Sequence, residues 1–223
     1  MGRLSGAVCI FDLDGTLVDS APDLSASLNI MLERAGLAPM PPEETRSQVG
    51  HGARALMAFA YRRQDRVFPD GAEADGLVDA FVEVYAARIA DLSRPFPGVV
   101  DSLKRLSAEG AALTVCTNKK EVLARPLLQE LDLLKYFSMV IGSDTLEERK
   151  PSPFPLRHIL RETSSDRGIM IGDTTTDRNA AEAAGLPSLI ATFGYGRDGE
   201  DLASAAWFDC FEDLPDLILQ TIG

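Results

Sequence analysis

The sequence predicts an α/β protein, a doubly wound parallel sheet carrying an inserted all-helical segment. Three observations predict it. Short apolar runs without alternation recur along the chain, helix-like segments separate them, and one long stretch near the N-terminus shows helical periodicity alone. With 223 residues, the chain has room for one large domain or a domain carrying a sizeable insertion.

Ala7, Val8, Cys9, Ile10 and Phe11 form the first run, apolar throughout, as a strand covered on both faces requires. It stops abruptly at Asp12. Similar runs occupy 111–116, 139–141, 169–171 and 188–191, and the segments 99–109, 120–131, 154–162 and 177–184 read as helices. Gly110 and Gly185 follow the first and last of these helices, where a left-handed residue closes a helix. Pro126 is an imperfection in the second. Between the first and second runs the period changes. Leu24, Leu28, Met31 and Ala35 follow i, i+4, i+7, i+11, and Leu77, Phe81 and Val84 follow i, i+4, i+7. Pro22 suits a first helical turn and Gly36 a helix end. We therefore expect a core of residues 1–18 and 97–223, and an inserted helical cap at 19–96.

Lys and Arg number 22 against 34 Asp and Glu, a formal charge of −12 that disfavours nucleic acid and anionic membrane as partners. The three cysteines, Cys9, Cys116 and Cys210, show no metal-binding spacing, which fits a reducing compartment. No apolar run approaches the roughly 20 residues of a membrane helix, so the expectation is a cytoplasmic protein.

In open parallel sheets, ligands sit beyond the carboxyl ends of the strands, so the residues after each run carry the chemistry. They are Asp12, Asp14, Gly15 and Thr16 after the first run, Thr117 and Asn118 after the second, Lys150 beyond the third, and Asp173 with Asp177 after the fourth. Two carboxylates about 4 Å apart repel by roughly 4 kcal/mol at an effective dielectric near 20, so such a cluster needs a cation. The donors are hard oxygens without His or Cys, which selects Mg2+ over zinc. Mg2+ shares itself with substrate phosphates, and Lys150, Thr117 and backbone amides would hold the remaining phosphate oxygens. A lone Asp at a strand end is more often a turn or cap residue; the set as a whole points to phosphoryl chemistry. Lys119 and Lys120 read as solvated residues at a helix start.

These residues resemble the haloacid dehalogenase superfamily of phosphohydrolases. "FDLDGTLVDS" matches its DxDGT signature, "VCTNK" its second motif, Lys150 in "ERKPSP" its third and "IGDTTTDRNAAEAAG" its GDxxxD fourth, in the family's order. The resemblance implies a Rossmann-like core, with Asp12 as the nucleophile that forms an aspartyl phosphate and Asp14 as general acid and base. It further implies Thr117, Asn118 and Lys150 around the phosphoryl group, and Mg2+ held by Asp12, Asp14, Asp173 and Asp177.

A core that binds only phosphoryl and metal is indifferent to the leaving group, so the cap should choose the substrate. No Lys precedes Lys104, which excludes a Schiff-base lysine in the cap, and Asp14 argues against true dehalogenation. "VGHGARALM" places His51 and Arg54 at a helix start, where they can meet a small anion. That segment, "RPFPGV" and "TFGYG" resemble the phosphoglycolate phosphatase branch, which makes 2-phosphoglycolate the expected small-molecule phosphomonoester. A sugar phosphomutase and a pyrophosphatase or nucleotide phosphatase of the same family are the alternatives. A response-regulator receiver is disfavoured by the DLDGT spacing and by the insertion. Oligomeric state is not legible in the sequence.

Overall fold

Ala7–Phe11 (β1) is buried along its whole length and runs through the middle of a parallel sheet in the computed structural model, which describes residues 2–196 and 206–223. The other strands are β4 (Ala112–Cys116), β5 (Met139–Ile141), β6 (Arg167–Gly172), β7 (Ser188–Ala191) and β8 (Ala206–Phe208). Among the described residues the order is β5-β4-β1-β6-β7-β8, every pairing parallel. This is the doubly wound α/β arrangement that the apolar runs predict. The short strands β2 (Val18–Asp19) and β3 (Arg94–Pro95) form a two-stranded ribbon where the chain leaves the core and rejoins it.

The lack of alternation in β1 has its cause in packing. Val8 and Ile10 meet Leu156 and Ile159 of α7 (Phe154–Glu162) and Ala180 and Ala181 of α8 (Thr175–Ala184). Successive strand side chains point to opposite faces, so Ala7, Cys9 and Phe11 are directed to the other layer, which holds α5 (Val99–Ala108) and α9 (Leu214–Ile222). Both faces exclude water, and each fully buried Leu, Ile or Val contributes roughly 2 kcal/mol. Helix α6 (Glu121–Glu130) packs on the edge strand β5 and carries Pro126 inside it. Strand β8 and helix α9 are elements that the periodicity reading did not single out.

The chain divides into two compact units, Met1–Asp19 with Pro95–Gly223, and Ser20–Arg94. The second is helical: α1 (Ala21–Arg34), α2 (Pro42–Arg46), α3 (Ala53–Arg62) and α4 (Gly71–Ala86). Leu24, Leu28 and Met31 are buried on α1, but Ala35 is exposed, because the helix ends there and Gly36 turns the chain at φ +67°. On α4 the buried stripe is Ala74, Phe81 and Tyr85, one position removed from the expected Val84. No helix among the described residues is long and apolar enough to cross a membrane.

Asp23 is the polar anchor of this unit. It is fully buried in the first turn of α1 and accepts hydrogen bonds from Leu92 N–H (3.0 Å), Ser93 N–H (2.7 Å) and the Ser93 hydroxyl (2.6 Å). Removing the acceptor strands two backbone donors. Asp23→Ala is expected to destabilise the protein by about 3 kcal/mol, whereas Asp23→Asn, which keeps one oxygen, loses less. Urea unfolding of the two variants measures this, and equal midpoints for wild type and Asp23→Ala would refute it.

Candidate active site

The sheet carries its hydrogen-bond ladder one residue past the strand ends and so places the site. Asp12 N–H donates to the Ile171 carbonyl at 2.8 Å, and Thr117 N–H to that of Ile141 at 2.9 Å. With β4, β1 and β6 adjacent, Thr117, Asp12 and Asp173 emerge side by side. Asp12, Asp173 and Asp177 each offer a carboxylate oxygen, and these atoms lie within 4.8 Å of one another.

Lys150 arrives from the segment after β5. Its side chain is 1% exposed, and Nζ lies 2.9 Å from Asp12 Oδ1 and 2.5 Å from Asp177 Oδ1. Asn118 Nδ2 donates to the Lys150 carbonyl at 3.0 Å and so holds that segment to the end of β4. Asp177 is the third residue of α8, where its Oδ2 accepts from Thr174 N–H (3.1 Å), the Thr174 hydroxyl (2.7 Å) and Asp173 N–H (3.3 Å). One carboxylate thereby closes the helix start and orients the buried lysine. Asp173 accepts from Thr16 Oγ1 (3.1 Å) and Tyr195 N–H (2.7 Å), and the Tyr195 hydroxyl donates to Asp19 at 2.7 Å.

Small residues give the acids their room. Gly15 sits at φ +85°, and a Cβ there would run into Asp173 Oδ2; a Cβ at Gly172 would run into the Asp177 carboxyl. Only glycine serves at either position, which explains the Gly of DLDG and of IGD.

Burial dominates the electrostatics. It pushes the Asp12 carboxyl up to about 6, assisted by the Asp177 carboxylate and opposed by Lys150. Asp173 lies well above the ordinary carboxylate range for the same reason, with Asp177 and Asp12 adding repulsion. For Lys150, burial alone would favour the neutral amine, but the charges of Asp12 and Asp177 outweigh it and hold the ammonium above its usual value. Asp12 Oδ1 is buried and faces the Lys150 ammonium at 2.9 Å. With all four ionised, the three clustered acids and Asp14 would carry two more charges than the ammonium groups of Lys150 and Lys119, an excess that one divalent cation balances. A cluster of carboxylate oxygens without His or Cys fits Mg2+.

The fold brings Asp12, Thr117, Asn118, Lys150, Asp173 and Asp177 together, and it joins Asp14 to them through a residue whose role the sequence reading missed. Lys119 is not solvated: its side chain is 6% exposed, and Nζ lies 3.1 and 3.3 Å from the two Asp14 carboxylate oxygens. Its neighbour Lys120 is exposed, so nothing in the "KK" pair itself distinguishes them. Thr16 was marked by its place after the first run, but its role in supporting Asp173, like that of Tyr195, was out of reach, because their partner lies 157 and 22 residues away. In the helical unit, Arg54 at the start of α3 forms an ion pair with Asp75 of α4. His51 is exposed, its Nδ1 3.4 Å from the Gln48 carbonyl.

The family model described as Haloacid dehalogenase-like hydrolase matches residues 9–191. A phosphoglycolate phosphatase of Caulobacter vibrioides is 42% identical over 218 residues, which span 95% of this chain and 90% of that one. Another, from Mesorhizobium japonicum, is 37% identical over 227 residues, 99% of this chain and 100% of its own. A crystal structure described as a predicted phosphoglycolate phosphatase from Haemophilus somnus superposes with a TM-score of 0.88 at 28% identity, covering 97% of this chain and 99% of that one.

Proposed function

From the premise that the chain belongs to the haloacid dehalogenase-like hydrolases and is a phosphatase of small phosphorylated metabolites, we infer that it hydrolyses 2-phosphoglycolate through a phosphorylated Asp12, with Mg2+ bound. One observation carries the mechanism. Asp12 is a buried carboxylate at a strand end, ion-paired with the buried Lys150 and clustered with Asp173 and Asp177. That is the environment of a nucleophile held ready for an incoming phosphorus.

In this reading Asp14, carrying a proton taken up from solvent on substrate binding, delivers it to the departing alkoxide as an Asp12 oxygen attacks phosphorus and the bond from phosphorus to the ester oxygen breaks. Asp14 then takes a proton from the water that attacks the aspartyl phosphate. Inorganic phosphate leaves, and both carboxyl groups return to their starting states. Lys150 and Thr117 neutralise and orient the phosphoryl oxygens, with Asn118 holding Lys150 in register. Asp12, Asp173 and the Asp14 main-chain carbonyl would hold Mg2+. Asp177, whose oxygens already serve Lys150 and Thr174, supports the site from behind. When bound, the cation supplies Lewis-acid stabilisation of the negative charge on the phosphoryl group. Residues 19–96, read as the cap of a core at 1–18 and 97–223, would complete the selection of the leaving group. The free thiols of Cys9, Cys116 and Cys210 fit a cytoplasmic setting.

Phosphate release from 2-phosphoglycolate, sugar phosphates, nucleotides and pyrophosphate, ranked by kcat/KM, tests the assignment. The first should lead. An isomerised sugar phosphate without phosphate release would replace hydrolysis by transfer. Chelation with EDTA is expected to abolish turnover and Mg2+ to restore it. Because the ion binds only the folded state, Mg2+ at a hundred times its Kd should stabilise the protein by about 2.7 kcal/mol. A melting temperature unmoved by millimolar Mg2+ would contradict the proposed metal site.

A further inference from the structure

We propose that Lys119 selects the leaving group by pairing with a carboxylate one carbon away from the ester oxygen; this rests on the assignment of Asp14 as general acid and base. The main chain of Lys119 is clamped at both ends. Its N–H donates to Thr117 Oγ1 at 3.1 Å, and its carbonyl accepts from Ser143 N–H at 3.0 Å. The side chain reaches across to Asp14, 105 residues away, and bridges both carboxylate oxygens. Lys119 therefore ties the phosphoryl-binding Thr117 to the acid/base carboxylate.

An ammonium largely withdrawn from water requires a negative partner. In the resting site Asp14 serves. During turnover Asp14 must also bring an oxygen within about 3 Å of the ester oxygen, which places that atom within about 6 Å of Lys119 Nζ. In a two-carbon acid such as glycolate, the carboxylate oxygens lie about 3 Å from the ester oxygen, within hydrogen-bond reach of the same ammonium. A neutral alcohol brings no such group. Lysine suits the task, because its charge sits on a flexible stem and can move from one carboxylate to the next. Arg54, the cation that the sequence offered for this contact, is half-exposed and engaged with Asp75.

The test compares 2-phosphoglycolate with its neutral counterpart 2-hydroxyethyl phosphate, in Mg2+ buffer, for wild type, Lys119→Met and Lys119→Arg. Lys119→Met is expected to lower kcat/KM for 2-phosphoglycolate about a hundredfold, mainly through KM, and for the neutral ester less than about tenfold. Lys119→Arg keeps the charge and should keep most of the preference. Equal losses on both esters, or no loss on either, overturn the proposal, since Lys119 would then only position Asp14 or do nothing for selection. If Lys119→Met fails to fold, product inhibition of the wild type gives the answer: glycolate must compete far better than ethylene glycol, and equal inhibition refutes the pairing. Asp14→Asn on the same esters separates the two assignments. Undiminished turnover there would remove the acid/base role, while the charged-to-neutral ratio of Lys119→Met still decides for or against Lys119.

Discussion

Asp12→Asn is expected to abolish Mg2+-dependent phosphate release, with kcat falling by about 10⁴-fold or more, because the amide can neither attack phosphorus nor carry the phosphoryl group. The protein should nevertheless fold. Burial raises the Asp12 pKa to about 6, so at neutral pH the charged carboxylate is less comfortable in the folded chain than in the unfolded one. A neutral isostere removes that penalty while losing the contact with Lys150. In metal-free buffer the urea midpoint of Asp12→Asn should therefore lie near that of wild type or above it. Phosphate release from p-nitrophenyl phosphate and acid-quench trapping of phosphorylated protein measure the two sides of this expectation. A variant that keeps even a few per cent of wild-type turnover, or that still accumulates the phosphorylated species, would show that Asp12 is not the nucleophile.

Lys150→Met is expected to fail differently, in stability before chemistry. The ammonium is 1% exposed and stands between Asp12 and Asp177, with Asp173 beside them in the same cluster. Taking away one partner of a buried ion pair leaves uncompensated charge in a dry place, at a cost of about 3–5 kcal/mol. That is a large share of the 5–15 kcal/mol by which domains are stable, so the metal-free variant should unfold at a markedly lower urea concentration than wild type. Millimolar Mg2+ should recover much of the loss, since a divalent ion supplies charge to the same carboxylates and favours the folded state by mass action. Activity should remain down by about a thousandfold even where the fold is restored, because the charge that stabilises the transferring phosphoryl group is gone. Equilibrium unfolding with and without Mg2+, alongside kcat, reads both effects. A midpoint equal to that of wild type in EDTA would mean that Lys150 does not hold these acids together.

Asp12 and Thr117 were legible because each directly follows an apolar run, and Asp173 because it follows one after a single glycine; a strand buried on both faces has no other way to end at water than in polar residues. The same logic marked Asp177, four residues on in the first turn of a helix. Lys150 was less direct, nine residues beyond its strand, and became readable only as the cation the other acids require. The helical insertion was legible as a change of period, although its stripe on α4 runs through Tyr85 rather than Val84. What Lys119, Asp23, Thr16 and Tyr195 hold was not legible. Each acts through a partner between 22 and 157 residues away, and each belongs to a residue type that is ordinary at its position.

What the sequence by itself determined was five of the six strands described in the main sheet, their order of appearance, the insertion and the residues at the strand ends, because burial and chain termination at a sheet edge are local and leave a local pattern. What only the tertiary structure decided was which of two adjacent lysines turns inward to Asp14, which acids support rather than face an ion, and where the buried carboxylate of Asp23 finds its donors. Those outcomes depend on charge pairing across segments far apart in the chain. Pairing energy of that kind exists only once the sheet order β4-β1-β6 has set the partners side by side.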